Sequence, residues 1–343
     1  MDAPRLRTLL LRGSVVAAAN WPVVVAQAIT ESVVKALAGI PLAGAALLLI
    51  LLSVPHAVPA PAIESAAAAL SALATVPAAL AGVAVSAILA ALGAIVFGAA
   101  IKAGTVTVIA AGEARAGSLT NGPLRIADLA AARAWSRARF MEGCARFGPR
   151  FVRLGIAFAV IEGTIALGYA TAVVQAYRGF VSVAASWWIA PAVVGVSMVA
   201  LGVSIGADLV YRLAQLVLVL EDAPGRAALR GAWAFVRRDA LVVARICVAA
   251  LILSTLAFVV TLVAAAAFGF VSFVPVVGVA VLPLQAAVWV VRGLMLPFIE
   301  LAALAAYSAA YRRPAGWPPP ADPASPASRA AVPGPAPRSL AAP

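Results

Sequence analysis

What most constrains this chain is a series of long apolar runs broken by short arginine-rich joints. Between joints, Ala, Val and Leu follow one another for twenty or more residues with almost no charge. The strict alternation of a membrane β-barrel strand is missing, so the runs read as helices. About 20 such residues cross the ~30 Å hydrocarbon layer of a bilayer as a helix. Soluble domains are about a quarter charged; here charged residues are 11% and hydrophobic residues 64%. The reading is all-α: a polytopic membrane helix bundle.

Six spans are expected, at about 21–52, 76–110, 151–174, 189–220, 240–267 and 281–311. Together with a short basic interfacial helix over 3–19, they make residues 1–313 one transmembrane domain. Pro41 invites a bend in the first span, and the Pro-flanked His56 marks a turn after it. Asn121-Gly122-Pro123 is a turn in the main polar loop, and helix is expected for 124–147. Trp187 and Trp188 suit an interfacial belt. An uncharged loop holds Pro275 and Gly278. Residues 314–343 are mostly Pro, Ala and Ser with little to bury, and read as a disordered cytoplasmic tail. A Pro-rich ligand for a partner domain is the alternative for that tail.

The net charge of +12 has a topological reading. Loop 112–153 carries eight arginines against three carboxylates. The N-terminal segment, loop 221–245 and the tail hold most of the other arginines, while the alternate loops hold almost none. Cytoplasmic loops collect Lys and Arg, so both termini are expected in the cytoplasm. Nucleic acid is not an expected partner. Arg5, Arg7 and Arg12 before an apolar stretch, with Ala26-Gln27-Ala28, imitate a signal peptide, but the stretch runs on too long and an uncleaved first span is preferred. Cys144 and Cys247 read as free thiols.

The joints resemble one another. Leu11-Arg12-Gly13 and Leu229-Arg230-Gly231 match at an offset of 218 residues, as do Val24-Val25-Ala26 and Val242-Val243-Ala244. At an offset of 88, Gly143, Phe147 and Arg150 fall on Gly231, Phe235 and Arg238. The pattern predicts three parallel helix-pair repeats with cytoplasmic interfacial helices. In the clearest joint, Leu229, Ala232, Trp233, Val236 and Ala240 share one helix face. Arg226, Arg230, Arg237 and Arg238 take the rest and are candidate anionic-lipid contacts. The plainer reading is that these arginines only obey topology.

The unit of span, Glu221-Asp222, Pro224-Gly225, ALRGAW…VRRD (228–239) and next span resembles the six-pass family known as the glycerophosphoryl diester phosphodiesterase membrane domain, most specifically over 213–250. The resemblance implies a bacterial inner-membrane module. In some members that module is fused to a cytoplasmic phosphodiesterase. After Arg313 only the Pro-rich stretch is expected, so the catalytic activity in the family's name is not carried over.

Charge inside a span is costly and is a functional candidate by default. The candidate intramembrane polar site is Glu162, Asp208, Arg212, Arg292 and Glu300. Asp208 and Arg212 can pair at i,i+4, as can Glu31 and Lys35; Lys102 is expected to snorkel to the cytoplasmic interface. Pro283 and Pro297 would free carbonyls beside the site, and Gly202 with Gly206 suggests close helix packing. The plainer reading of these charges is structural glue. With His56 the only histidine, nucleophile pairs and histidine-based metal sites lack residues, and no phosphate loop with its lysine is present.

The expectation is therefore a non-enzymatic integral membrane protein without cofactor, either a scaffold or a lipid-interacting module. Its expected partners are the bilayer, its anionic headgroups and a membrane or cytoplasmic protein. The alternative is a transporter of a small solute or lipid that uses the buried charges.

Overall fold

A Pro-containing junction after the first amphipathic turns sets the entry of the chain. The computed structural model describes residues 6–53, 77–116, 126–182, 189–271 and 275–312. Helix α1 (Leu6–Ala19) turns through 82° into α2 (Trp21–Ser53). Pro22 sits in the first turn of α2, where its missing N–H costs nothing, while its ring would clash with a helical carbonyl four residues back, so the chain breaks at Asn20. Then come α3 (Pro77–Arg115), α4 (Ile126–Ala132), α5 (Arg137–Ser182), α6 (Ile189–Leu220), α7 (Gly225–Arg238), α8 (Ala240–Val271) and α9 (Pro275–Arg312). No strand occurs among the described residues.

Five helices, α3, α5, α6, α8 and α9, are long and apolar enough to cross a membrane, and the bent α1–α2 pair is a further candidate. This suits a multi-pass membrane protein. Three boundaries differ from expectation. The helix expected over 124–147 splits into α4 and the first turns of α5, because residues 133–136 are held open by side-chain bonds. The span expected from 151 is the middle of a 46-residue helix that continues through Pro149. Pro275 and Gly278, expected in a loop, lie in the first turn of α9. The turns at His56 and Asn121-Gly122-Pro123, the Trp187–Trp188 belt and the tail 314–343 lie outside the described residues.

The core sits at one end of the bundle. Val106, Ile109, Phe151, Leu213, Leu216, Phe235 and Leu301 are fully buried there. At the other end of the same helices Leu89, Leu167, Val199, Val263 and Val290 are exposed. Apolar surface of that kind needs lipid or protein around it.

Each arginine-rich segment reaches back onto a preceding or distant span. Helix α1 packs on α9, the start of α5 on α3, and α7 on α6. Glycine makes each approach. A Cβ at Gly13 would run into the Ala302 carbonyl oxygen, one at Gly143 would lie 2.6 Å from Thr107 Oγ1, and one at Gly231 would lie 3.1 Å from a Val217 methyl. Gly202 and Gly206, expected at a close contact, have nothing within 4 Å of a built Cβ. The close-packing glycines are those of the joints together with Gly104 and Gly112 of α3, on which the joints pack.

Candidate functional site

Helix α6 lays Ser204, Asp208 and Arg212 along one face, each four residues from the last, with Gln215 beyond. Arg212 Nε donates to Asp208 Oδ2 at 2.6 Å, the expected i,i+4 pair. Its Nη1 reaches Glu300 Oε1 on α9 at 2.9 Å. The same oxygen accepts Lys102 Nζ from α3 at 2.9 Å. Three spans thus meet at one carboxylate. Glu300 is one turn past Pro297, which has no N–H and clashes with the carbonyl four residues back. A largely buried carboxylate is tolerable only with charge-assisted partners, and two cations supply them.

Lys102, expected to snorkel, turns its ammonium onto Glu300 and is largely buried there. Arg292 does not join the cluster either. It stacks over the Phe258 and Trp289 rings, 4.9 and 5.1 Å from their centroids, a cation–π arrangement that partly offsets the loss of water. Glu162 is on α5, where its Oε2 accepts Ser204 Oγ at 2.7 Å. It makes no ion pair among the described residues.

Two cavities meet at the cluster, and Lys102, Arg212 and Glu300 line both. The first, about 480 Å³, lies between α6, α8 and α9, with Asp208, Gln215, Cys247 and Tyr307 in its wall. The second, about 530 Å³, lies between α2, α3, α5 and α6, with Gln27, Glu31, Phe158, Glu162 and Tyr211 in its wall. The bundle does not pack shut around its charges.

Two more polar clusters occupy the well-packed end. Glu113, 3% exposed, takes Arg12 Nη2 at 2.7 Å and Arg312 Nη1 at 3.4 Å, tying α1, α3 and α9. Asn20 is fully buried and uses all its bonding capacity. Its Nδ2 donates to Val16 O and Ala132 O, and its Oδ1 accepts Ala134 N and Trp135 N, at 2.8–3.0 Å. This clasp holds residues 133–136 against the α1–α2 bend.

In the α6–α7 turn Asp222 has φ 50°, a left-handed conformation that Asp tolerates better than most. Arg146 and Arg150 of α5 grip its carboxylate at 2.6 and 2.7 Å. Their hydrogen bonds hold its pKa below the ordinary value.

Helix α7 buries Ala228, Ala232 and Phe235 and exposes Leu229 and Trp233. Of the expected apolar face, Ala232 is turned to the protein core, and Leu229 and Trp233 are left uncovered by protein. Arg226, Arg230 and Arg237 share the exposed side, and Arg237 lies over the Trp233 ring at 5.0 Å. Arg238 instead packs over Phe235 and pairs with Asp239 at 2.8 Å.

Gln27, Lys102, Asn20 and Glu113 were not singled out as site residues by sequence. Only Lys102, a lone charge deep in a span, carried a signal that could have found it. Compared with known proteins, the chain matches no family model, no curated protein and no solved structure.

Proposed function

We propose that this chain is a non-enzymatic, six-pass protein of a bacterial inner membrane that binds, and passes across the bundle, a small polar or amphiphilic solute. One observation carries the reading: the Lys102–Glu300–Arg212 cluster lines two open clefts in the bundle at once. Structural glue needs no such space on either side. An ion cluster shared by two clefts can rearrange when a charged solute competes for one of its members.

The proposed architecture is three helix pairs around an axis along the membrane normal. The cyclic packing of the three joints, each through a matched glycine, supports it. So does the cluster: Arg212 and Glu300 are separated by the same 88 residues that relate Gly143 to Gly231. Each returning span, α3, α6 and α9, then contributes charge to one cluster, Lys102 from α3, Asp208 and Arg212 from α6 and Glu300 from α9. The resemblance of residues 213–250 to the phosphodiesterase membrane domain agrees with a membrane module and adds no catalytic residue.

The test is native mass spectrometry of the full chain from nanodiscs, wild type against the charge-neutral pair Asp208→Asn/Arg212→Gln. A bound molecule of constant mass is expected on the wild type and absent from the variant at normal expression. Equal spectra from the two proteins would sink the reading.

A second reading, a module that holds anionic lipid at its joints, draws on the exposed Arg226, Arg230, Trp233 and Arg237. An arginine at an anionic surface is worth about 1 kcal/mol. Arg226→Gln/Arg230→Gln/Arg237→Gln in the full chain is expected to co-purify with less anionic lipid. An unchanged lipid-to-protein ratio removes this reading.

A further inference from the structure

The first of the two clefts opens sideways. Helices α6 and α8 each pack on α9 and scarcely on each other among the described residues, so α9 is the floor of a gap between them. Leu201 of α6 and Leu251 of α8 line this gap and are both exposed. Ile205, Leu209, Leu296 and Leu304 add apolar wall. Its volume, about 480 Å³, is that of a site for a small ligand.

Charge stands in this gap rather than behind it. The side chains of Asp208 and Arg212 are 41% and 35% exposed, against 18% for Glu300. Asp208 and Glu300 are each twelve residues from the last residue of their helix. At 1.5 Å per residue that is about 18 Å, which puts both below a headgroup layer. Charged side chains at such depth normally face the bundle interior or a water-filled space. Asp208 and Arg212 face a gap that opens on the hydrocarbon around the protein. Something polar has to stand there with them.

Their hydrogen bonds leave one place of each sign. Arg212 gives Nε to Asp208 Oδ2 and Nη1 to Glu300 Oε1. Its Nη2 and the other oxygen of Asp208 make no bond among the described residues. The wall as a whole is balanced, Lys102 and Arg212 against Asp208 and Glu300. A plain anion on Arg212 would meet the Asp208 carboxylate, and a plain cation on Asp208 would meet the guanidinium. A group that carries both charges side by side meets neither conflict. An ammonium donates to the free carboxylate oxygen, and a phosphate accepts from the free guanidinium nitrogen.

We infer that the gap between α6 and α8 takes the headgroup of a zwitterionic phospholipid from the side. The ammonium lies at Asp208 and the phosphate at Arg212. The acyl chains stay outside, along Leu201 and Leu251, in the bilayer they came from. This rests on the solute-binding reading above and names the chemical class of the solute.

The experiment uses the full chain in nanodiscs that hold equal amounts of two phospholipids of different mass. One has a zwitterionic ethanolamine headgroup and the other an anionic glycerol headgroup. Native mass spectrometry counts the lipids of each kind retained by the wild type and by Leu251→Trp, whose larger ring fills the mouth and leaves both charges in place. The lipid lost between the two is the one in the gap, whereas lipid held at the arginine-rich joints stays. One ethanolamine lipid is expected to be lost. Its preference over the glycerol lipid is expected to be about tenfold, the ratio one charge-assisted hydrogen bond gives. Asp208→Asn, near-isosteric and without the charge, is expected to abolish that preference. Should Asp208→Asn not fold, the comparison with Leu251→Trp decides alone. No lipid lost, loss of the glycerol lipid as readily, or an ethanolamine preference that survives Asp208→Asn overturns the inference. A retained molecule whose mass is not that of a phospholipid also overturns it, while the solute-binding reading stands. Failure of that reading is read separately, from equal mass spectra of the wild type and the Asp208→Asn/Arg212→Gln protein.

Discussion

Asn20 is a single residue on which a tertiary contact depends. Its side chain serves three groups of the bend and the extended segment that would otherwise lack a partner. Asn20→Ala leaves Ala132 O, Ala134 N and Trp135 N unmet in the interior. Since each unmet group costs about 1–3 kcal/mol, the melting temperature of the purified protein is expected to fall markedly. An unchanged melting temperature would mean that residues 133–136 find other partners. Glu113 acts similarly, since Glu113→Ala leaves Arg12 and Arg312 facing each other in a largely buried site. Breaking a buried pair from one side costs about 3–5 kcal/mol, and the same assay reads it. In the sequence Glu113 looked like one of a loop's three acids. Its burial depends on α1 and α9, which join it from opposite ends of the chain.

Among the elements, the joints carry the packing and the spans' outer halves carry little. Gly13→Ala pushes a methyl into the α9 backbone at Ala302, which only a shift of α1 can relieve. Gly202→Ala meets nothing, and gains up to about 1 kcal/mol of helix propensity. The first is expected to lower the melting temperature and the second to leave it or raise it; the reverse order would contradict the packing of α1 on α9. The α6–α7 turn adds a pH dependence. The folded pKa of Asp222 is depressed by Arg146 and Arg150. Its contribution is therefore full above the ordinary carboxylate value, about 4, and disappears as pH falls through the folded value. The melting-temperature gap between wild type and Asp222→Asn is expected to close over that acid range. A gap constant down to the lowest pH would mean the turn does not depend on the Asp222 charge.

For the whole molecule, the alternation of arginine-rich and arginine-poor loops predicts both termini on the cytoplasmic side. A reporter fused after Arg312 is expected to read cytoplasmic, and a periplasmic signal there would overturn the six-span topology. The helices, their order and their near-absence of charge follow from local composition, because the bilayer forces every backbone group to bond within its own helix. The i,i+4 pairs, Asp208 with Arg212 and Glu31 with Lys35, are legible for the same reason: both partners sit on one element. Lys102 with Glu300, the grip of Arg146 and Arg150 on Asp222, and the isolation of Arg292 are not. They depend on how α3, α5, α6 and α9 are set against one another, and interhelical contact in lipid turns on small steric differences that a chain this rich in Ala, Val and Gly scarcely marks. The sequence alone determined that apolar helices alternate with basic joints; the tertiary structure decided which charges meet and that clefts open beside them, because distant side chains become neighbours only once the joint glycines bring the helices together.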